Sequence, residues 1–181
     1  MMVSIARFQN WPEAAFIKLT AEAFAREPHF YQTYFTAMSY YAPGWGGSHK
    51  ALDQFIREVQ QDTEATEGYA MYARLYWYAA QTQYGENLFT HSLVDWEMMK
   101  KGIDDVLDDY TESWNIHNFA KFSCLAGDIQ KASELFTFIK DPPVQMAWGN
   151  QSFFNQCRAW VATKTPTLLE HFRNFLMAVA K

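Results

Sequence analysis

Trp114-Asn115-Ile116-His117-Asn118-Phe119-Ala120-Lys121-Phe122-Ser123-Cys124-Leu125-Ala126-Gly127-Asp128, continued by Ile129 to Pro143, reads as two helices joined by a tight turn. Gly127 tolerates the left-handed backbone that ends a helix, and Asp128 is a natural cap for the one that follows. Counting from Gly127, Ala120 and Ala132 stand where two helices must approach closely. Phe136 and Ile139 stand where a large side chain reaches the next helical pair, and Pro142-Pro143 ends the unit. Those spacings are close to one tetratricopeptide-type repeat, although no second copy recurs about 34 residues away.

The same periodicity runs outward from this hairpin. Asn10-Trp11-Pro12-Glu13 predicts a helix start with Asn10 as cap and Glu13 closing a capping box, followed by Phe16, Leu19, Ala23 and Phe24 and ending before Pro28. Tyr31, Tyr34, Phe35 and Met38 follow the i, i+3, i+4, i+7 pattern of one buried face. The turn Ala42-Pro43-Gly44-Trp45-Gly46-Gly47 reverses the chain, with Trp45 expected to plug the core. Ser48 then caps a helix carrying Leu52, Phe55, Ile56 and Val59. From Thr66 to Gln83 the pattern predicts a central helix, since Tyr69, Met71, Tyr72, Tyr76, Trp77 and Tyr78 leave it apolar nearly all round. Arg74 within it calls for a carboxylate partner. Beyond Gly85-Glu86-Asn87 a further helix from near Ser92 has Trp96, Met99, Ile103, Val106 or Leu107, and Tyr110 as its inner stripe. After the hairpin come a helix with Phe153, Phe154, Cys157, Trp160 and Val161, and a last one opened by Thr165-Pro166.

No segment alternates with a two-residue period between turn signals, so strands are not expected. The reading is all-α: antiparallel helical hairpins in an irregular, tetratricopeptide-like right-handed stack of about nine helices, with residues 1–181 as a single domain. The 181 residues include 15 Phe, 10 Tyr and 7 Trp, ample area for one core. No stretch approaches the ~20 apolar residues of a membrane span, and no leader pattern opens the chain, so a cytoplasmic protein is expected. Cys124 and Cys157 sit among apolar neighbours and read as two core thiols rather than a disulfide.

The formal charge of −5 is unevenly spread. Residues 63–112 carry three basic against ten acidic side chains, and residues 113–181 carry seven against four. An acidic middle argues against nucleic acid, whose phosphates need clustered Lys and Arg, and suits a basic partner. Its outward row is Asp95, Glu97, Asp104, Asp105, Asp108 and Asp109. As a surface these residues are candidates for partner binding; a merely solvated helix face has the same appearance. Asn115 and Asn118 are candidates for contact with a bound peptide, or for helix capping.

Chemistry is harder to find. The five histidines, His29, His49, His91, His117 and His171, include no zinc-type helical pair, and neither a nucleophile elbow nor a phosphate loop occurs. No catalytic residue, cofactor or metal is therefore assigned. The Gly-rich turn with Trp45, His49 and Arg74 is the alternative region for a small ligand or an enzyme site.

Four separated motifs carry a resemblance: Pro43-Gly44-Trp45-Gly46-Gly47; Glu67-Gly68-Tyr69-Ala70-Met71-Tyr72-Ala73-Arg74-Leu75-Tyr76-Trp77; Trp114-Asn115 with Asn118-Phe119-Ala120; and Cys124-Leu125-Ala126-Gly127-Asp128. Over about residues 13 to 160 the chain resembles the bacterial family known as domain of unknown function 4034. The resemblance implies a bacterial, helical-repeat-like protein and brings no catalytic residues with it. It also implies a setting in which such proteins partner secreted antibacterial toxins. The expectation is a non-enzymatic protein-binding module, an immunity protein that occludes a basic toxin; a peptide-binding adaptor is the other binding-module reading.

Overall fold

The computed structural model describes residues 2–140 and 142–163, and in it Pro28, Gly68 and Gly127 each fall just past a helix end. The described residues are helical, with no strand among them. They belong to two compact units, Met1–Asp109 and Tyr110–Lys181. The helix expected after Thr165-Pro166 lies outside the described residues.

The first unit opens with α1 (Met2–Phe8), which the sequence reading did not anticipate, then α2 (Glu13–Arg26) and α3 (Tyr31–Tyr41). Asn10 does not cap α2. It takes a left-handed φ of 49° in the turn after α1, and Pro12 occupies the cap position with no side-chain hydrogen bond. Asn adopts that conformation more readily than most residues, so it serves the turn instead of the helix. After a 3₁₀ turn at Pro43–Trp45, Ser48 Oγ accepts from the Ala51 N–H at 3.0 Å and starts α4 (His49–Glu67). Trp45 is not a core plug. It is 44% exposed and packs edge-on against Phe8, with the Arg7 guanidinium 4.4 Å from its ring centre.

α4 is longer than its sequence pattern suggests, and Gly68, at φ 55°, separates it from α5 (Ala70–Ala79). A π turn, Ala80–Tyr84, ends that helix earlier than Gln83. The short α6 (Leu88–His91) precedes α7 (Trp96–Asp109), which begins four residues beyond Ser92. α5 is the centre of the unit: Ala70, Met71, Tyr72, Ala73, Leu75, Tyr76 and Ala79 are all buried, against α3, α4 and α7. α7 approaches it where a Cβ on Gly102 would meet the Tyr69 carbonyl oxygen and lie 2.8 Å from the Ala73 Cβ. α7 buries Met99, Ile103 and Val106, as its period predicts, whereas Tyr110 lies past its end and is 43% exposed.

In the second unit the opening hairpin is present as α8 (Ser113–Leu125) and α9 (Ile129–Phe136), followed by α10 (Gln145–Trp148) and α11 (Gln151–Ala162). Gly127 turns with φ 74°, and Asp128 accepts from the Lys131 N–H at 2.9 Å. Ala120 and Ala132 are completely buried. Phe136 meets Trp148 and Phe154, at 5.9 and 5.8 Å between ring centres. Trp148, 1% exposed, is the hub of this aromatic cluster, and its indole N–H donates to His117 Nδ1 at 2.8 Å. Cys124 and Cys157 correct the expectation of separate thiols: they form a disulfide between α8 and α11, with Cα atoms 6.0 Å apart. They are 33 residues apart in sequence, and a loop of that size stabilises by about 3–4 kcal/mol on chain-entropy grounds.

Two outcomes follow from this packing. Gly102→Ala, normally favourable in a helix, should destabilise the protein by about 1–3 kcal/mol in denaturant melts, because the added methyl separates α7 from α5. Burial lowers the pKa of His117 from 6.5, so the unfolded chain takes up the proton first. Stability from this group is therefore complete above about pH 6.5 and is lost as pH falls towards the depressed folded value. Thermal melts followed by Trp fluorescence should show a lower Tm at pH 5 than at pH 8, with a smaller difference in His117→Gln.

Candidate functional site

The acidic row of α7 divides into two sets. Asp95 stands just before the helix, where Oδ1 accepts from the Glu97 and Met98 N–H groups at 2.9 and 3.1 Å. Its own N–H donates to the Tyr72 hydroxyl at 2.9 Å. Asp105 is part-buried; Oδ2 accepts from the N–H of Tyr69, the residue just before α5, at 2.6 Å. These two carboxylates serve helix starts, where unpaired N–H groups favour an anion. Glu97 pairs with Lys100 at 2.9 Å, one turn on. Asp104, Asp108 and Asp109 are exposed; Asp104 and Asp108 lie on the side of the helix away from Ile103 and Val106, and Asp109 is its last residue, one turn beyond Asp105. The outward acidic surface of α7 is thus centred on these three.

The two asparagines lie in the second unit. Asn115 Nδ2 donates to the Tyr110 carbonyl at 3.0 Å and to Glu112 Oε2 at 3.3 Å. Asn118 is only 5% exposed and donates to the Trp114 carbonyl at 2.8 Å, so it satisfies helix backbone from inside the unit. Of the two, Asn115 alone retains the partial exposure that contact with a peptide requires.

The alternative region around the Gly-rich turn separates into three sets of contacts. Trp45 meets Phe8 and Arg7, and His49 Nδ1 lies 2.8 Å from the Tyr84 hydroxyl. Arg74 pairs with Glu67 at 2.6 Å, both side chains largely buried, and its guanidinium lies 4.6 Å from the Tyr31 ring centre. Glu67 also accepts from the Tyr31 hydroxyl at 2.6 Å. Burial pushes its carboxyl pKa up, but the bonds from Tyr31 and Arg74 outweigh this and hold it below the usual range. The carboxylate partner that Arg74 needs is therefore one turn before its own helix.

A polar network that belongs to none of the sequence motifs joins α4, α5 and α7. The Tyr76 hydroxyl donates to Asp53 Oδ1 at 2.5 Å, and Arg57 Nε donates to Asp53 Oδ2 at 2.9 Å. Arg57 Nη1 reaches Met98 Sδ at 3.0 Å. Burial raises the Tyr72 phenol to about 12 and drives Tyr76 higher still, so both keep their protons. A signal was present: Asp53 and Arg57 are spaced i, i+4, and a tyrosine inside an all-round apolar helix needs a partner for its hydroxyl. The network holds the phenol protons in place and ties the three helices together.

Among the described residues no group of three or more His, Cys, Asp or Glu is placed to hold a metal ion, and no helix is long and apolar enough to cross a membrane. Comparison with protein-family models, with curated proteins and with solved structures finds no match to this chain.

The division of the α7 carboxylates has a direct check. Asp105→Ala removes a capping acceptor and should cost about 1 kcal/mol in denaturant unfolding, against roughly 0.5 kcal/mol or less for Asp108→Ala or Asp109→Ala.

Proposed function

We propose that this protein is a non-enzymatic protein-binding module, an immunity protein that covers the active surface of a basic toxin with the outer face of α7. The observation that carries this reading is the exposure of Asp104, Asp108 and Asp109 on a helix whose other side is held against α5 by Met99, Ile103 and Gly102. A helix anchored in this way presents charge at little ordering cost, and opposite charge on a partner speeds capture and sets orientation. The surplus of ten acidic over three basic residues in 63–112 supports a basic partner over nucleic acid.

The tetratricopeptide-like right-handed stack belongs to the same reading, as does membership of the bacterial domain of unknown function 4034 family. Support comes from the α8–α9 hairpin, where small residues lie between the helices and Phe136 reaches the following pair. Stacked hairpins of this kind offer helix faces as binding surfaces. A cytoplasmic setting requires Cys124 and Cys157 as thiols, because disulfides are reduced there. Binding through α7 does not depend on that state, since both cysteines belong to the second unit.

The test starts with capture of the partner from lysate of the native bacterium at low and high salt. Its affinity is then measured with Asp104→Lys, Asp108→Lys and Asp109→Lys combined. The substituted protein should keep its melting temperature within a few degrees, bind on the order of 10- to 100-fold more weakly at low salt, and lose most of its salt dependence. Unchanged affinity would remove α7 from the interface.

A further inference from the structure

In the first unit, α3 packs against both α2 and α4, and a half-open cavity of about 630 Å³ lies along these three helices. Its size is within the range of about 300–1,000 Å³ typical of small-molecule sites. One wall is a stripe of α4 with Phe55, Glu58, Val59 and Asp62 at i, i+3, i+4, i+7; the other is a stripe of α2 with Glu13, Ile17 and Phe24. Tyr34 and Tyr41 of α3 complete it. Phe24 stacks on Tyr34 with ring centres 4.0 Å apart, and Phe55 stacks on Tyr41 at 4.9 Å, so the lining offers fixed aromatic surface.

Carboxylates dominate the charge of this lining, with His29 set against Glu67 at 3.4 Å. Glu13, Glu58, Asp62 and Glu67 all contribute, and among the described residues no Lys or Arg lines the cavity. Arg74 reaches Glu67 from outside the lining, leaving Glu13, Glu58 and Asp62 as its acidic character. The neutral polar groups also point to an acceptor-rich surface. The hydroxyls of Thr20, Thr63 and Thr66 donate to helix carbonyls of Phe16, Val59 and Thr63, so they have acceptor capacity and no further proton to offer a ligand. Gln54 donates its amide N–H to Glu58 at 2.9 Å. Tyr34 is 97% buried, and among the described residues its hydroxyl makes no hydrogen bond. Tyr34 lines the cavity, where its phenol oxygen can hydrogen-bond to a bound molecule.

The tyrosines register the same field. Burial, then Glu13 and Glu58, push the Tyr41 phenol up to about 12; burial, then Asp62 and Glu67, raise that of Tyr34. Both hydroxyls therefore stay protonated and neutral, able to accept from a donor-rich ligand.

We propose that this cavity binds a small organic cation, a primary ammonium or guanidinium group on an apolar body. The cationic end lies among Glu13, Glu58 and Asp62, and the body lies against Phe24, Tyr34 and Phe55. Such a group supplies several N–H donors to a surface of acceptors, and its charge is attracted by carboxylates and aromatic faces together. The site shares no residue with the acidic face of α7, so this inference and the protein-binding reading stand or fall separately.

Isothermal titration of the full-length protein with tryptamine and with agmatine tests it, with tryptophol as the neutral match for tryptamine. At least one cation should bind, and tryptophol should bind roughly tenfold more weakly than tryptamine or not at all. Glu58→Gln with Asp62→Asn, both exposed positions, should weaken the cation roughly tenfold. Ala25→Trp, which fills the cavity from an exposed position on α2, should abolish binding while the circular dichroism spectrum is unchanged. The proposal is overturned if neither cation binds at millimolar concentration, if tryptophol matches tryptamine, or if both sets of substitutions leave affinity intact. It is also overturned if a Lys- and Arg-containing peptide displaces the small cation at equal concentration, which would assign the cavity to a protein side chain.

Discussion

The burial of α5 is the constraint on which the first unit depends. A helix apolar on nearly every side must be covered on nearly every side, and α3, α4 and α7 do so. Two of its buried side chains, Tyr72 and Tyr76, take hydroxyls inside with them, and a buried hydroxyl without a partner costs about 1–3 kcal/mol. Asp53 answers Tyr76 from α4, and the Asp95 N–H answers Tyr72 at the start of α7. Gly102 lets α7 come close enough for Asp105 to cap α5. What reads along the chain as one acidic row is therefore split by the demands of α5 into carboxylates that hold helices and carboxylates left facing outward.

The second unit meets the same demand differently. Its centre is Trp148, an indole that can be buried because His117 accepts its N–H, with Phe136 and Phe154 around it. That bond needs His117 neutral at Nδ1, which makes a buried aromatic cluster sensitive to protons. The Cys124–Cys157 disulfide links the first helix of this unit to the last of its described helices. A short stack of helices with one aromatic hub gains most from such a link, since its apolar area is small.

Negative charge is the thread between the two binding proposals. The outer face of α7 presents it on an anchored helix, where it can act at range on a large partner. The cavity along α2, α3 and α4 presents it beside stacked aromatic rings, where it can hold a small cation at contact distance. The physical difference is range: charge on α7 acts through solvent and is screened within about 10 Å at moderate salt, whereas the cavity sets its carboxylates beside aromatic rings that a bound cation would touch directly.

Much of the local structure was legible in the residues. Ser48 and Asp128 cap as their types demand, Gly127 turns, and Leu52, Phe55, Ile56 and Val59 are buried as their spacing requires. These are short-range matters of backbone stereochemistry and helical period, which a sequence states directly. The same logic misplaced Asn10 as a cap and left Asn118 between peptide contact and a helix-backbone role, because each residue had two local uses and the neighbouring segments chose between them. Whether Cys124 met Cys157, which α7 carboxylates were spent on α5, and that Tyr34, Glu58 and Asp62 line one cavity were decided only in three dimensions. Each depends on side chains brought together from separate helices, a distance that helical period does not encode. The sequence by itself determined that the described residues are helical, that Ser48 and Asp128 start helices and Gly127 turns, and that the middle is acidic; the tertiary structure decided which of those acids face outward, because Asp95 and Asp105 are held at helix starts by α5.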